Sequence, residues 1–189
     1  MNKKTVALTK EMYQEIIDTM RKGFTGCRPN NRIATALVVE ANLGLRISDV
    51  LNLRLSDIIR DGERYRLDIV EQKTGKKREF TVLAEVYNCL KIFCLENGIK
   101  THEQIFSITE RAVQKQLQRV CEYLGDGYVN VSTHSFRKFF ATRIYADNDS
   151  NILLVQRLLQ HSSPNTTQKY IGLEPKAVES ALQKHNCLM

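Results

Sequence analysis

Apolar residues recur along the chain at two different periods, and the changes of period mark out its elements. From Thr9 to Gly23, Met12, Ile16 and Met20 fall on one face at helical spacing with a glycine just past the end, which predicts an amphipathic helix followed by a loop over 23–29. A second helix is predicted from about Asn31 to Asn42. After Gly44 comes a short third helix that Ser48 is suited to cap, carrying Val50, Leu51 and Leu53, with Arg46 at the junction. Between Ile58 and Val82 the period drops to two: Tyr65, Leu67 and Ile69 alternate with Arg64, Arg66 and Asp68 behind an Asp61-Gly62 turn. A second turn at Thr74-Gly75 leads into Arg78 to Val82 and leaves Lys73 beside it at the strand end. Helical spacing returns from Ala84 to Gly98 and from Thr109 to Leu124. Further helices are predicted over His134 to Ala146, over Ile152 to Gln160, and from a Ser163-Pro164 start through Tyr170 to a break at Pro175.

The expected fold class is therefore α+β, mostly α-helical with a small antiparallel β-sheet. No repeat, low-complexity tract or linker interrupts the pattern, so residues 1–189 are expected to form a single domain. The tail, about 174–189, has Ala177, Val178, Ala181 and Leu182 at helical spacing and is expected to dock on this molecule or on a neighbouring copy.

Composition sharpens this picture in three ways. Lysine and arginine outnumber aspartate and glutamate by 28 to 21, and the formal charge of +7 favours a polyanionic partner. No apolar run approaches the ~20 residues needed to cross a bilayer, so a cytoplasmic location without membrane attachment is expected. The five cysteines, Cys27, Cys89, Cys94, Cys121 and Cys187, form no pair at metal-ligand spacing and read as reduced thiols. Neither a metal nor a cofactor is expected.

Candidate chemistry comes from His134-Ser135-Phe136-Arg137, whose i,i+3 spacing sets an imidazole and a guanidinium on one helix face, a compact phosphate-facing pair. It gains meaning from what surrounds it. GLRISDVLNLRLSDI around Arg46 and EQKTGKKREF around Lys73 precede HSFRKFFATRIY, and LLQHSSPNTTQKYIG follows, with His161 and then Tyr170. In content and order these segments resemble the tyrosine recombinase and integrase family, and the resemblance runs from about Thr9 to Leu182.

That resemblance implies a site-specific DNA recombinase catalytic domain that cleaves and rejoins DNA through a 3′-phosphotyrosine intermediate. It assigns Tyr170 as nucleophile, Arg46 and Arg137 as the phosphate clamp, His134 as proton acceptor, His161 as a phosphate hydrogen-bonding group and Lys73 as general acid, with Lys76 as its competitor. The residue types suit these tasks. A guanidinium grips two phosphate oxygens and keeps its proton, and a phenol titrating near 10 needs a base. Lys76, Lys77 and Arg78 are expected to lower the pKa of Lys73. The implied partners are double-stranded DNA and further copies of the chain, monomeric when free and tetrameric in the synapse, with Val178, Ala181 and Leu182 as contacts in trans.

Two departures stand out. Gln160 replaces the glycine usual before the second histidine, and the chain begins where relatives start their catalytic domain, so the N-terminal core-DNA-binding domain is expected to be absent. The rival readings are a DNA-binding accessory factor without catalysis and a type IB topoisomerase-like relaxase of supercoils.

Overall fold

A computed structural model describes residues 5–172, and it divides into two compact units with the boundary after Phe140. The expected tail contacts and Cys187 lie outside the described residues.

The first unit begins with α1 (Lys10–Lys22), where Thr9 accepts a hydrogen bond from the Met12 amide and Ile16, Ile17 and Met20 are buried. Gly23 ends it with a positive φ of 70°, leading into a tight loop in which Phe24 bridges to Cys27. The next helix, α2 (Asn31–Leu43), is capped by the Asn30 side chain and stops at Gly44, which adopts the left-handed conformation (φ 57°, ψ 25°).

The short helix α3 (Ile47–Asn52) is capped by Arg46, not by Ser48 as expected. The amides of Asp49 and Val50 already bond to the Arg46 carbonyl at 2.9 and 3.0 Å, so Ser48 falls inside the first turn. Burial of Ile47 and Val50 fixes this earlier start.

Three strands follow, β1 (Ile58–Asp61), β2 (Arg64–Val70) and β3 (Lys77–Val82), paired antiparallel in the order β1-β2-β3. The register sets Leu67 opposite both Ile58 and Phe80. This is the small sheet read from the period of two, and its apolar face packs towards α4 (Ala84–Glu96).

The stretch 99–108, which shows no clear period, nevertheless supplies core residues. Ile105 and Phe106 are buried, the Ile105 amide bonds to Leu53 O at 2.9 Å, and the rings of Phe106 and Phe93 lie 5.6 Å apart. After α5 (Glu110–Leu124), capped by Thr109, the chain enters α6 (Thr133–Asp147). One continuous core links α1, α2, α3, the sheet, α4, α5 and Phe136 of α6.

Within the second unit, α7 (Ile152–Leu159) packs against α8 (Pro164–Ile171), and Val155, Leu159 and Thr167 are buried. Ser163 caps α8 through a bond from the Thr166 amide, with Pro164 at the first helical position. Gln160 ends α7 at φ 54°, ψ 36°. This left-handed conformation explains why glycine suits the position, since a side chain there is strained. Cys27, Cys94 and Cys121 are buried free thiols, and Cys89 is an exposed one.

Candidate active site

The six residues singled out from sequence fall into two groups, four before Phe140 and two after it. The first group is built on the corner between α2 and α3. Gly44 turns the chain sharply, Leu45 is fully buried, and Arg46 follows in an extended conformation with its side chain partly exposed.

Arg46 does not pair with Asp49 or Asp57, the acids that follow it on α3 and just beyond. Its Nη1 donates instead to Oε2 of Glu71 at 2.5 Å. Glu71 has no exposed surface and lies at the neck of the β2–β3 hairpin. Its Oε1 accepts from Arg78 Nη1 at 2.8 Å, and Thr74 Oγ1 donates to Oε2 at 2.8 Å. Burial raises the Glu71 pKa, but the bonds from Arg78, Thr74 and Arg46 outweigh it and hold the carboxyl at about 2.

The turn beyond Glu71 is closed by its own backbone, with Glu71 N donating to Lys76 O at 3.0 Å and Gly75 N to Glu71 O at 2.8 Å. Lys73 sits exposed in this turn. Two of the three neighbouring cations expected to act on it are engaged elsewhere: Arg78 is buried against Glu71, and Lys77 pairs with Glu79 at 2.6 Å and with Asp68 at 3.4 Å. Asp49 Oδ1 accepts from the Gln72 amide at 2.9 Å and so ties the hairpin neck to α3.

His134 and Arg137 occupy the first turns of α6 and differ sharply in exposure. His134 is accessible to solvent, whereas Arg137 is 2% exposed. Desolvation first, and then the positive charges of Arg137, Lys73 and Arg46, push the His134 imidazole below its ordinary 6.5. Each of these three cations therefore lies within electrostatic reach of His134. The neutral form of His134 is favoured as a result.

The second group, His161 and Tyr170, is set up by the turn between α7 and α8. The rings lie edge to face, with centroids 5.2 Å apart and planes at 81°. His161 Nδ1 is hydrogen-bonded to Thr167 Oγ1 at 3.0 Å, and the His161 amide bonds to Gln156 O at 3.1 Å, so both ring and backbone are fixed locally.

Sequence reasoning missed Glu71, Arg78, Glu40 and Thr167. Arg78 stands in an apparently exposed KKR run, yet the period of two puts it on the face of Phe80 and Val82, a signal that was available. Glu40 stands on the apolar line of α2, one turn from Leu37 and Leu43. It is fully buried, and neither carboxylate oxygen has a hydrogen-bond partner among the described residues. Burial raises its pKa well above the usual carboxylate value, partly opposed by the charge of Arg137. No cluster of metal-ligating side chains occurs among the described residues, and no helix there is long and apolar enough to cross a membrane.

Among curated proteins, the chain is 29% identical over 160 residues to the probable integrase/recombinase YoeC of Bacillus subtilis, covering 80% of this chain and 83% of that one. It is 28% identical over 189 residues to tyrosine recombinase XerA of Pyrococcus furiosus, covering 96% of this chain and 62% of that one. Among solved structures, the catalytic domain of bacteriophage HP1 integrase superposes with a TM-score of 0.65 at 21% identity, covering 98% of this chain and 97% of that one. XerH recombinase bound to a palindromic difH substrate, in a post-cleavage complex, gives a TM-score of 0.69 at 21% identity, over 96% of this chain and 53% of that one. Those two likenesses establish the fold.

The family model for phage integrases matches residues 7–176. That single match takes in the Arg46 corner, the Lys73 hairpin, the start of α6 and the His161–Tyr170 turn, and the chain therefore belongs to the phage integrase family.

Proposed function

We propose that this chain is a tyrosine recombinase catalytic domain that cleaves and rejoins DNA at specific sites. The observation that carries the reading is the set of cations Arg46, Lys73 and Arg137 within electrostatic reach of His134 in the first unit, together with Tyr170 set edge-on to His161 in the second.

In the proposed reaction, Tyr170 Oη attacks a phosphodiester phosphorus and its proton passes to His134. The P–O5′ bond breaks, and Lys73 gives the departing 5′ oxygen a proton, leaving a 3′-phosphotyrosine and a free 5′-hydroxyl. Attack of a 5′-hydroxyl from a partner strand on that linkage reverses the sequence and releases Tyr170. Charge develops on the non-bridging oxygens during each transfer, and fixed donors aimed at them are the largest single aid to catalysis. Arg46 and Arg137 supply such donors. Each charge-assisted bond contributes about 1.5–3 kcal/mol. A low pKa at His134 suits a proton acceptor, because the imidazole must arrive without its proton.

His161 has a narrower task. To donate from Nε2 to phosphate while neutral, it must accept at Nδ1, and the Thr167 hydroxyl supplies that proton across 3.0 Å when it turns from its longer, 3.5 Å contact with Ser163 O. In this reading residues 1–189 form one catalytic domain, its partner is double-stranded DNA in the cytoplasm, and four copies assemble on two sites to exchange strands.

The deciding experiment incubates the purified chain with nicked duplexes taken from the ends of the DNA element that encodes it, then denatures the mixture. Wild type is expected to leave a covalent protein–DNA adduct and Tyr170→Phe none. An adduct with Tyr170→Phe, or none with wild type, overturns the proposal.

A further inference from the structure

We propose that Glu71 is a positioning residue for strand cleavage: anchored by Arg78, it orients Arg46 and ties that arginine to the hairpin carrying Lys73, so that clamp and acid are placed together. The inference rests on the roles proposed above for Arg46 and Lys73.

The bonding of Glu71 accounts for both halves of this. Through its side chain it meets Arg46 Nη1 at 2.5 Å, Thr74 Oγ1 at 2.8 Å and Arg78 Nη1 at 2.8 Å. Through its backbone it closes the turn that holds Lys73, pairing with Lys76 O and the Gly75 amide. One residue thus touches the clamp arginine, the neighbour of the acid and both sides of the turn between them.

Arg78 completes a ring of contacts. Its Nη2 lies 3.4 Å from Leu43 O and 3.3 Å from Gly44 O, the carbonyls at the end of α2 that lead into Arg46. The corner bearing Arg46 and the strand following Lys73 are therefore joined twice, once through Arg78 and once through Glu71. A single carboxylate between two guanidinium groups also leaves the trio with net positive charge, so a phosphate is still attracted to it. Arg46 uses Nη1 for the contact, and a guanidinium has five N–H donors, enough for one end to be held while others face phosphate oxygens.

A buried ion pair retained only for folding would have different consequences, and the leaving group separates the two cases. When sulfur replaces the 5′ bridging oxygen, the departing thiolate needs no proton, so the placement of Lys73 ceases to matter while that of Arg46 still does. Adduct formation is measured for wild type and Glu71→Gln on nicked duplexes with the ordinary phosphate and with the 5′-bridging phosphorothioate.

Glu71→Gln is expected to slow adduct formation on the order of 100-fold on ordinary DNA, the usual cost of a misplacement near 1 Å. On the phosphorothioate the loss is expected to shrink by about tenfold or more, as removal of the general-acid requirement demands. Glu71→Asp, with the charge retained on a shorter arm, falls between. Glu71→Gln/Arg78→Gln leaves no unpaired buried charge at the pair and gives the same comparison should the single variant fold poorly. An unchanged rate on ordinary DNA, or an equal loss on both substrates, overturns the positioning role. A wild-type chain that forms no adduct with either DNA overturns the proposed function instead.

Discussion

Phe140 of α6 packs against Gly44 at the end of α2, so close that a methyl group on that glycine would sit 2.3 Å from the ring's Cδ1. Gly44 also needs its left-handed φ of 57° to turn the chain into Arg46. Two independent constraints therefore require glycine immediately ahead of the clamp arginine. Gly44→Ala is expected to cost about 3 kcal/mol from the combined clash and backbone strain, seen as a fall in melting temperature of roughly 6–12 °C. A melting curve superimposable on wild type would show that the corner relaxes freely.

Glu71 and Glu40, both without exposed surface, are displaced from the ordinary carboxylate value in opposite directions. Glu71, held at about 2 against an ordinary 4.5, contributes stability that is complete above 4.5 and is lost as pH falls towards 2. The size is on the order of 3 kcal/mol. For Glu40 the sign reverses: its raised value means that stability is complete below about 4.5 and falls as pH rises through the folded value. Glu40→Gln removes that fall. The melting temperature of the variant minus that of wild type should grow from pH 4 to pH 8, and a constant difference would refute the assignment.

The depressed pKa of His134 bears on the rate of adduct formation. If the neutral imidazole accepts the Tyr170 proton, the acid limb of the rate profile must lie below 6.5, the ordinary histidine value. Arg137, Lys73 and Arg46 all push in this direction after desolvation, so Lys73→Met is expected to move that limb upward. Single-turnover rates between pH 5 and 8 test both statements. A limb centred at or above 6.5 in the wild type would remove His134 as the acceptor.

Thr167 is fully buried, with its hydroxyl against His161 Nδ1. Thr167→Val keeps the shape and removes that hydroxyl. It should slow adduct formation by about tenfold, because His161 loses the partner that fixes its tautomer. Thr167→Ser, which restores the hydroxyl, should recover most of the rate. Equal rates for the valine and serine variants would show that packing alone matters at this position.

Much of the architecture was legible because its signals are local. Caps and periods fixed α1, α5 and the start of α8 to within a residue: Thr9, Thr109 and Ser163 cap the helices that the apolar spacing marks out, although α8 ends at Gly172, ahead of the break expected at Pro175. The hairpin followed from alternation and two turns. What escaped was set by distance in the chain. Glu71 meets Arg46 across 25 residues, and nothing near either one announces the pair. Ser48 was misread as a cap for a different reason: its residue type suits the task, but burial of Ile47 starts the helix earlier. Arg78 was hidden by its company, since a run of three cations reads as a solvated turn until the strand parity is counted.

The inward engagement of Arg78 also bears on how strongly salt should govern binding to DNA. The steepness of that dependence reports how many phosphates are neutralised by protein cations, each of which frees a condensed counterion. Arg78 is sealed against Glu71, Lys77 is shared between Asp68 and Glu79, and Arg66 lies between Asp61 and Glu79. Cations satisfied by the protein's own acids displace few ions from a duplex. Arg66, Lys77 and Arg78 should thus add little to the slope, which leaves Lys73 and Lys76 as the contributors from the hairpin turn, and Arg78→Gln should leave it unchanged even where it weakens the fold.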